Sequence, residues 1–394
     1  MKYLLLPTLL ATAGCTANTA HPAAPAPLHT RLLTLDTHLD TPVHFARPGW
    51  DFGAAHTHAD DLAQVDLGRM DTGALDGGFF VIYTEQGPLT PKGYADAKAF
   101  ALKRLGEIET TFAKFPARIA LATRPGDAAR ADRAGKRFGY ISIENSYPLG
   151  LDLSLLDQYY ARGVRLAGPV HFKNNQFADS ATDKPLWHGL SPLGRDWVKA
   201  MNRLGMVIDA SHASDDVFDQ LLELSATPIL LSHSGTRSVY DHPRNIDDAR
   251  VRKLAASGGA VCVNSVYLSK NRSTPEADAV SDRAEHMDTM TPAEQLDLTH
   301  QIRKLQDANP KTADFETYMR AILHLIEVAG VDHVCFGADW DGGGGVPGFE
   351  DISALPKVTE RLVAAGYTQA DIQKMWSGNV LRILGVAEAK RQAR

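Results

Sequence analysis

Short apolar segments that alternate with helical patterns limit the folds open to this chain more than any other feature of its sequence. The eight predicted strands lie in the segments Leu32–Pro42, Ala74–Thr84, Phe138–Asn145, Gly163–His171, Gly205–His212, Pro228–Ser234, Ala260–Val266 and His333–Asp341. Strands that alternate with helices form a parallel sheet with crossover helices. Eight such units in a chain of 394 residues favour a closed (β/α)8 TIM-type barrel over an open doubly wound sheet.

The segments between the strands carry helical periodicity. Helices are predicted at about 93–115, 155–162, 192–204, 215–224, 247–257, 315–329, 351–365 and 370–384, and a polar insertion with helical stretches at about 269–313. No Gly-x-Gly-x-x-Gly motif follows an early strand, which argues against dinucleotide binding. The Gly342–Gly345 run is interpreted as a flexible turn, since it lacks the Lys-Ser/Thr pair of a phosphate loop.

Ionisable side chains recur where the predicted strands end. They are His38, Asp40, Glu144, His171, His212, His233, Asp339 and Asp341. The C-terminal ends of barrel strands meet at one rim, so these groups are predicted to converge there. Imidazoles and carboxylates suit zinc, with manganese, iron or cobalt as alternatives. Two such cations roughly 3.5–4 Å apart can share and acidify one water, which yields hydroxide near neutral pH.

Six motifs, in order, resemble those of the membrane (renal-type) dipeptidases, peptidase family M19, a branch of the amidohydrolase-like metal barrels. The motifs read DTHLD, ISIEN, VHFKNN, DASHAS, LSHSG with DHPRN, and GADWDGG, and the resemblance runs from Leu32 to Leu384. It implies a zinc-dependent dipeptidase that uses a metal-bridged hydroxide, tolerates D-residues at the second position and forms a homodimer. Its substrates would be dipeptides.

The same resemblance implies the metal ligands, carried over by position. His38, Asp40 and Glu144 would hold one Zn²⁺, and Glu144 would bridge to a second Zn²⁺ held with His212 and His233. An outer-shell carboxylate often supports such ligands, and Asp36 is expected to orient His38 or its loop.

Three further residues have roles implied by the family. His171 would polarise the scissile carbonyl and stabilise the oxyanion. Arg244 would hold the terminal carboxylate of the substrate in a bidentate grip. Asp339 is the acid/base candidate, and Asp341 is the alternative, which is expected instead to support a ligand from behind or to stabilise a turn.

Some positions depart from the family pattern beside these motifs. Asn145-Ser146 follows the bridging glutamate where many members have glycine, and Ala167-Gly168-Pro169 replaces a more hydroxyl-rich stretch. These changes bear on substrate preference more than on metal binding. The nearest alternative function is hydrolysis of a lactone, a β-lactam or an N-acyl amino acid at the same metal site, and a non-catalytic metal-binding lipoprotein is another.

The beginning of the chain has the pattern of an export signal. Residues 1–20 are predicted to be a signal peptide, with Cys15 either lipidated as in a bacterial lipoprotein or lost in plain secretion. Residues 21–30 are expected to be a tether, and 31–394 the barrel with its insertion. The protein is then expected in the periplasm or cell envelope, in contact with the membrane only through a lipid anchor.

Charge and cysteine content limit partners and cross-links. The formal net charge is −6 and no basic run occurs, so no nucleic-acid partner is expected. Cys262 and Cys335 both fall in predicted core strands, where unpaired buried thiols are the favoured interpretation and a disulfide the alternative for an exported protein.

Overall fold

The computed structural model describes residues 27–392 apart from 271–273 and 285. The predicted signal peptide and residues 21–26 of the predicted tether therefore lie outside the described residues. The last tether residues lead into a short 3₁₀ helix, His29–Arg31, whose first residue is buried. The His29 ring contacts the Thr359 hydroxyl and the Gly73 carbonyl, so the ordered fold begins slightly earlier than expected.

Nine strands lie within the described residues, and every pairing between them is parallel. They are β1 Leu35–Leu39, β2 Gly77–Tyr83, β3 Ile119–Leu121, β4 Arg137–Glu144, β5 Val164–Ala167, β6 Val207–Ile208, β7 Leu230–Ser234, β8 Ala260–Val263 and β9 Val334–Phe336. One sheet has the order β1-β2-β4-β5-β6, with β3 beside β4, and the other has the order β7-β8-β9. All eight predicted strands are confirmed. The extra strand β3 has three residues, too few to show a periodic pattern.

Helices connect the strands. They are α1 Leu67–Thr72, α2 Pro91–Lys114, α3 Pro125–Arg133, α4 Leu155–Ala161, α5 Pro192–Leu204, α6 Asp215–Leu224, α7 Asp248–Ala256, α8 Pro275–Ala284, α9 Pro292–Ala308, α10 Phe315–Ala329, α11 Leu355–Ala364, α12 Gln369–Gln373 and α13 Asn379–Lys390. The predicted helices are confirmed, except that the last, at 370–384, is divided into α12 and α13 by the π-helical turn Lys374–Gly378; α1 and α3 were not predicted. Ser214 caps α6 by accepting a hydrogen bond from Val217 N. In the described part of the chain, no helix combines the length and apolar character needed to cross a membrane.

The parallel strands curl, so that the two sheets approach each other at both ends of the strand order. Parallel bridges join Asp209 to Leu230 and Leu39 to Trp340. The chain therefore has an α/β fold with a curled parallel sheet. Because the strands are parallel, their C-terminal ends face the same side, and this geometry positions the site.

Cys262 and Cys335 form a disulfide between β8 and β9. They face each other directly in the parallel register, with Cα atoms 4.1 Å apart, and both are fully buried. The favoured sequence interpretation of two unpaired thiols is therefore wrong. The two residues are 73 positions apart in the chain, and only the strand register brings them together.

Candidate metal centre

The predicted ionisable residues come together at the C-terminal ends of the strands. His38 lies in β1, Glu144 ends β4 and His233 lies in β7, while Asp40, His171, His212 and Asp339 follow β1, β5, β6 and β9. A 3₁₀ helix that begins at Thr41-Pro42 ends the first strand, as the proline predicts. The strand ends thus place side chains from distant parts of the sequence within contact of each other.

Glu144 is at the centre of the cluster, and its two carboxylate oxygens face different imidazoles. Oε1 lies 3.0 Å from His212 Nε2, 3.3 Å from His233 Nε2 and 3.6 Å from His171 Nε2. Oε2 lies 3.4 Å from His38 Nε2. A carboxylate with this arrangement can serve two neighbouring cations, one on each oxygen.

Two further carboxylates lie beside His38. Its Nε2 atom is 3.3 Å from Asp40 Oδ2 and 3.9 Å from Asp339 Oδ1. All three side chains are largely buried, with relative exposures of 2%, 7% and 10%. Buried carboxylates at this spacing repel one another and are costly without a positive partner.

The donor set fits divalent cations. The residues form three overlapping groups, and within each group the ligand atoms lie within 4.8 Å of one another. The groups are His38–Glu144–His233, Glu144–His171–His212 and His38–Asp40–Asp339. His38 Nε2 and Asp40 Oδ1 are buried and have no hydrogen-bond partner among the described residues. Buried polar atoms usually have hydrogen-bond partners, so unpaired atoms in a cluster of imidazoles and carboxylates are atoms that could hold a metal ion.

Burial and mutual charge shift the pKa values of the cluster in different directions. Burial lowers the pKa of His212 and of His233 well below the usual value. Burial would raise the pKa of Glu144, but the neighbouring imidazoles together hold it well below its usual value. Neutral His212 and His233 imidazoles beside an ionised Glu144 carboxylate are in the protonation states that metal ligands require. Burial alone would lower the pKa of His38, but the Asp40 and Glu144 carboxylates raise it well above its usual value, so a cation bound there would replace the His38 proton.

Burial shifts the pKa values of Asp339 and His171 so that both side chains can be neutral near pH 7, unlike the ionised Glu144 carboxylate. Burial raises the pKa of Asp339 to about 7, with the Asp40 and Glu144 carboxylates adding to the rise. Burial lowers the pKa of His171 to about 4, so this imidazole is neutral near pH 7 and has an N–H to donate. A carboxyl group that titrates near neutral pH is suited to proton transfer.

Arg244 lies against the same cluster. Its guanidinium donates from Nη2 to the His233 carbonyl over 2.9 Å and from Nη1 to Ser234 Oγ over 3.3 Å. The side chain is buried, stacks near the Tyr267 ring and has an unpartnered Nε among the described residues. A buried guanidinium with donor capacity to spare can take a carboxylate ligand.

Asp341 is occupied by structural contacts. Its carboxylate accepts hydrogen bonds from Thr41 Oγ1 and Gln64 N, both over 2.6 Å, and lies 3.3 Å from His44 Nε2. Asp36 accepts hydrogen bonds from the backbone amides of His38 and Ala338. Asp36 thus fixes the backbone of β1 and of the loop after β9.

The backbone turns sharply where the site residues stand. Asn145, His212, Asp339 and Asp341 all have positive φ between 65° and 68°. Asparagine and aspartate tolerate this left-handed conformation better than most residues, which explains how Asn145, Asp339 and Asp341 can adopt it. Such conformations are uncommon outside glycine and tend to cluster at functional sites.

Gly342 allows two carboxylates to approach the turn after β9. A Cβ atom at this position would collide with Asp40 Oδ2 and Asp339 Oδ1. The Gly342–Gly345 run is a turn as predicted, but hydrogen bonds hold it. Gly345 N donates to Ser265 Oγ, and Lys311 Nζ donates to the carbonyls of Gly343 and Gly345.

Several residues near the site carried no functional prediction. Asp209 and Ser232 form a hydrogen-bonded chain to the back of His233. The rings of Tyr83 and Phe172 contact His171 with centroids 4.9 and 3.9 Å away, and Phe172 is 46% exposed at the mouth. Asp209 begins the DASHAS motif, and Ser232 precedes His233 in the LSHSG motif. Their positions in these motifs are the sequence feature from which a role at the site could have been predicted.

The insertion packs onto the loops of the rim. Gln295 in α9 accepts a hydrogen bond from Arg47 Nε, and Arg303 donates to the carbonyls of His58 and Asp61. Lys311, at the end of the insertion, binds the Gly342–Gly345 turn, so the insertion contacts the loops that follow both β1 and β9. It therefore borders the candidate site.

The chain is similar to known proteins along nearly all of its length. The sequence profile of a family described as "Membrane dipeptidase (Peptidase family M19)" matches residues 23–394. "Dipeptidase tcpJ" of Claviceps purpurea (strain 20.1) is 29% identical over 359 residues, which are 88% of this chain and 75% of tcpJ.

Solved structures show the same fold. The probable dipeptidase PvdM from Pseudomonas aeruginosa has a TM-score of 0.79 at 31% identity, with 92% of this chain and 97% of PvdM covered. A metallopeptidase from Rhodobacter sphaeroides, liganded with a phosphinate mimic of the dipeptide L-Ala-D-Ala, has a TM-score of 0.71 at 22% identity. That match covers 90% of this chain and 99% of the other.

Proposed function

We propose that two Zn²⁺ ions at the Glu144 cluster serve the hydrolysis of dipeptides, because this chain belongs to the membrane dipeptidase family (peptidase family M19) and is a hydrolase of the metallo-dipeptidase type. The observation that carries this proposal is the position of Glu144 between His38 on one side and His212 and His233 on the other. One carboxylate between two sets of ligands supports a pair of cations rather than one.

The metal ligands in this proposal are His38, Asp40, Glu144, His212 and His233. Bound cations would lower the pKa of a shared water to near neutral and polarise the peptide carbonyl. Manganese, iron or cobalt could take the same ligands. The His212 and His233 imidazoles are neutral and the Glu144 carboxylate is ionised, as metal binding needs, whereas His38 would release a proton when a cation binds.

The protein's own groups have the remaining tasks. Asp339, with a pKa raised by burial to about 7, takes a proton at its carboxylate and gives it to the leaving amine. His171, neutral because burial lowers its pKa to about 4, donates a hydrogen bond to the developing oxyanion. Arg244 binds the terminal carboxylate and so restricts the substrate to two residues.

A substrate panel tests this function. Purified protein is assayed with dipeptides of L,L and L,D stereochemistry, tripeptides, a lactone, a β-lactam and N-acyl amino acids, before and after chelation. Dipeptides should be the best substrates, with tolerance of a D-residue at the second position, and chelation should abolish the rate. A faster rate on another substrate class would contradict the proposed function and assign the enzyme to that class. Zinc binding without hydrolysis of any substrate would indicate a metal-binding protein that is not an enzyme.

The closed (β/α)8 barrel is part of the same proposal. It is supported by the parallel bridges Asp209–Leu230 and Leu39–Trp340, which lie where β6 meets β7 and where β1 meets the segment after β9. β3 pairs only with β4 and would lie outside the eight-strand ring.

Export and a homodimer complete the proposal. The Cys262–Cys335 disulfide supports export, because disulfides persist mainly in oxidising compartments such as the periplasm. A lipid on Cys15 is tested by mass spectrometry of the mature protein from membranes, and a homodimer by light scattering. A mature N-terminus beyond Cys15 would exclude the lipoprotein.

A further inference from the structure

A buried hydrogen-bonded chain runs from Asp209 through Ser232 to the back of His233. Ser232 Oγ donates to Asp209 Oδ2 and lies 2.8 Å from His233 Nδ1. Asp209 Oδ1 accepts from the backbone amides of Ser211 over 2.9 Å and of Ser232 over 3.0 Å. All of these side chains are at most 4% exposed, so water does not replace the bonds.

The direction of the hydrogen bonds follows from counting protons. A serine hydroxyl has one proton, and in Ser232 this proton goes to the Asp209 carboxylate. Ser232 Oγ can then only accept from His233 Nδ1, so the imidazole proton must be on Nδ1. The Nε2 atom is left with its lone pair directed at the Glu144 cluster, where it lies 3.3 Å from Glu144 Oε1.

We infer that Asp209, acting through Ser232, is a positioning residue that sets the Nδ1–H tautomer of His233 and thereby makes Nε2 a metal ligand. Partners on the far side of a ligating histidine commonly fix its tautomer and orientation. The inference rests on the metal centre of the proposed function, but it does not depend on which substrate is hydrolysed. His212 has no such chain, since its buried Nδ1 has no partner among the described residues.

An isosteric substitution tests the direction of this chain. In Asp209→Asn, the two backbone amides require the amide oxygen at the Oδ1 position, so the NH₂ group faces Ser232 Oγ. The hydroxyl then accepts from the amide, and its nearest acceptor becomes His233 Nδ1 at 2.8 Å, since Ser211 Oγ is 3.4 Å away. The His233 proton then resides on Nε2, which must give up this proton, at a cost in free energy, before it can ligate a cation.

The experiment measures zinc binding rather than activity. Chelator-treated full-length protein is titrated with Zn²⁺ against a chromophoric chelator, for wild type, Asp209→Asn, Ser232→Ala and the double variant. Asp209→Asn should weaken one of two zinc sites by about 10- to 100-fold. Ser232→Ala should have a smaller effect, because the ring loses a partner but is not forced into the wrong tautomer.

The double variant separates this inference from general damage. Without the Ser232 hydroxyl, the introduced amide has no group through which to reverse the chain. The double variant should therefore bind zinc like Ser232→Ala and more tightly than Asp209→Asn alone. Ser142→Ala is the matched control, because it removes a buried hydroxyl that has no hydrogen-bond partner among the described residues, and its zinc affinities should stay within about two-fold of wild type.

Two results would overturn the inference. One is wild-type zinc affinity at both sites in Asp209→Asn, and the other is a double variant as weak as Asp209→Asn or weaker. Two-bond ¹⁵N–¹H spectra of the metal-free protein give a second readout, with Nδ1 of His233 protonated in wild type and Nε2 protonated in Asp209→Asn. Wild-type protein that binds two zinc ions but does not cleave dipeptides would contradict the proposed function and leave this inference intact.

Discussion

The Nε2 atoms of His212 and His233 lie 2.9 Å apart, although the two residues are 21 positions apart in the chain. Both atoms are also within 3.3 Å of Glu144 Oε1. Burial lowers the pKa of both imidazoles, so neither is readily protonated. Two nitrogen lone pairs and a carboxylate oxygen that converge in a buried space would be stabilised by a shared cation, and this convergence is the basis for the proposed metal centre.

Asp339→Asn tests the proton-transfer role. We expect kcat to fall by about 10²- to 10⁴-fold, because the amide cannot take up or release the proton, while both zinc ions remain bound. Steady-state kinetics and metal analysis measure the two effects. Asp341→Asn is the matched control, with less than a ten-fold loss, since that carboxylate is bonded to Thr41 and Gln64. A larger loss in the control would assign the proton transfer to Asp341 instead.

Arg244→Met tests the carboxylate clamp. The variant would lose the charge-assisted hydrogen bonds to the substrate carboxylate, which contribute about 1.5–3 kcal/mol to binding. The KM for dipeptides should therefore rise by about 10- to 100-fold, while zinc stays bound. The C-terminal amides of the same dipeptides, which lack the carboxylate, should bind wild type and variant equally. Arg237→Met, an arginine paired with Asp215, serves as the control. An unchanged KM in Arg244→Met would remove the clamp.

Gly342→Ala tests how closely the turn after β9 approaches the ligands. The added methyl would displace the Asp40 and Asp339 carboxylates, so we expect weaker binding at one zinc site and at least a ten-fold lower kcat/KM. Gly106→Ala in α2 is the control, because a Cβ there meets nothing within 4 Å and should stabilise the helix by up to about 1 kcal/mol. Full zinc affinity in Gly342→Ala would show that the turn is not tightly packed.

His29 gives a prediction for stability against pH. Burial lowers its pKa from 6.5 to about 4, so the unfolded chain takes up this proton first as the pH falls. Its contribution to the free energy of unfolding is complete above pH 6.5 and lost between pH 6.5 and 4, by about 3 kcal/mol in total. Denaturant unfolding at several pH values should show a smaller decrease in His29→Gln than in wild type. Equal slopes would mean that His29 does not carry this dependence.

The sequence was sufficient to predict where the candidate site lies, because the common direction of the strands decides which residues come together. Once eight parallel strands were predicted, the polar residues at their ends had to share one rim, and His38 and Glu144 do. The apolar runs and the proline at position 42 also marked where strands end. The roles of individual residues came from the family resemblance rather than from these patterns.

Other features depend on register and side-chain direction, which a single sequence does not contain. The Cys262–Cys335 pair requires that β8 and β9 be neighbours in one particular register. Ser232 and His233 are adjacent in the sequence, but the direction of the hydrogen bond between them depends on Asp209, which follows a different strand. The three-residue strand β3 had no periodic signal at all.

The most direct test of the two-cation centre is a zinc titration of chelator-treated protein followed by dipeptide hydrolysis. If Glu144 joins two ligand sets, activity should return only as two equivalents of Zn²⁺ are bound, and Glu144→Gln should lose high-affinity binding and activity together. Full activity at one equivalent, or dipeptide hydrolysis that persists without bound metal, would contradict the account.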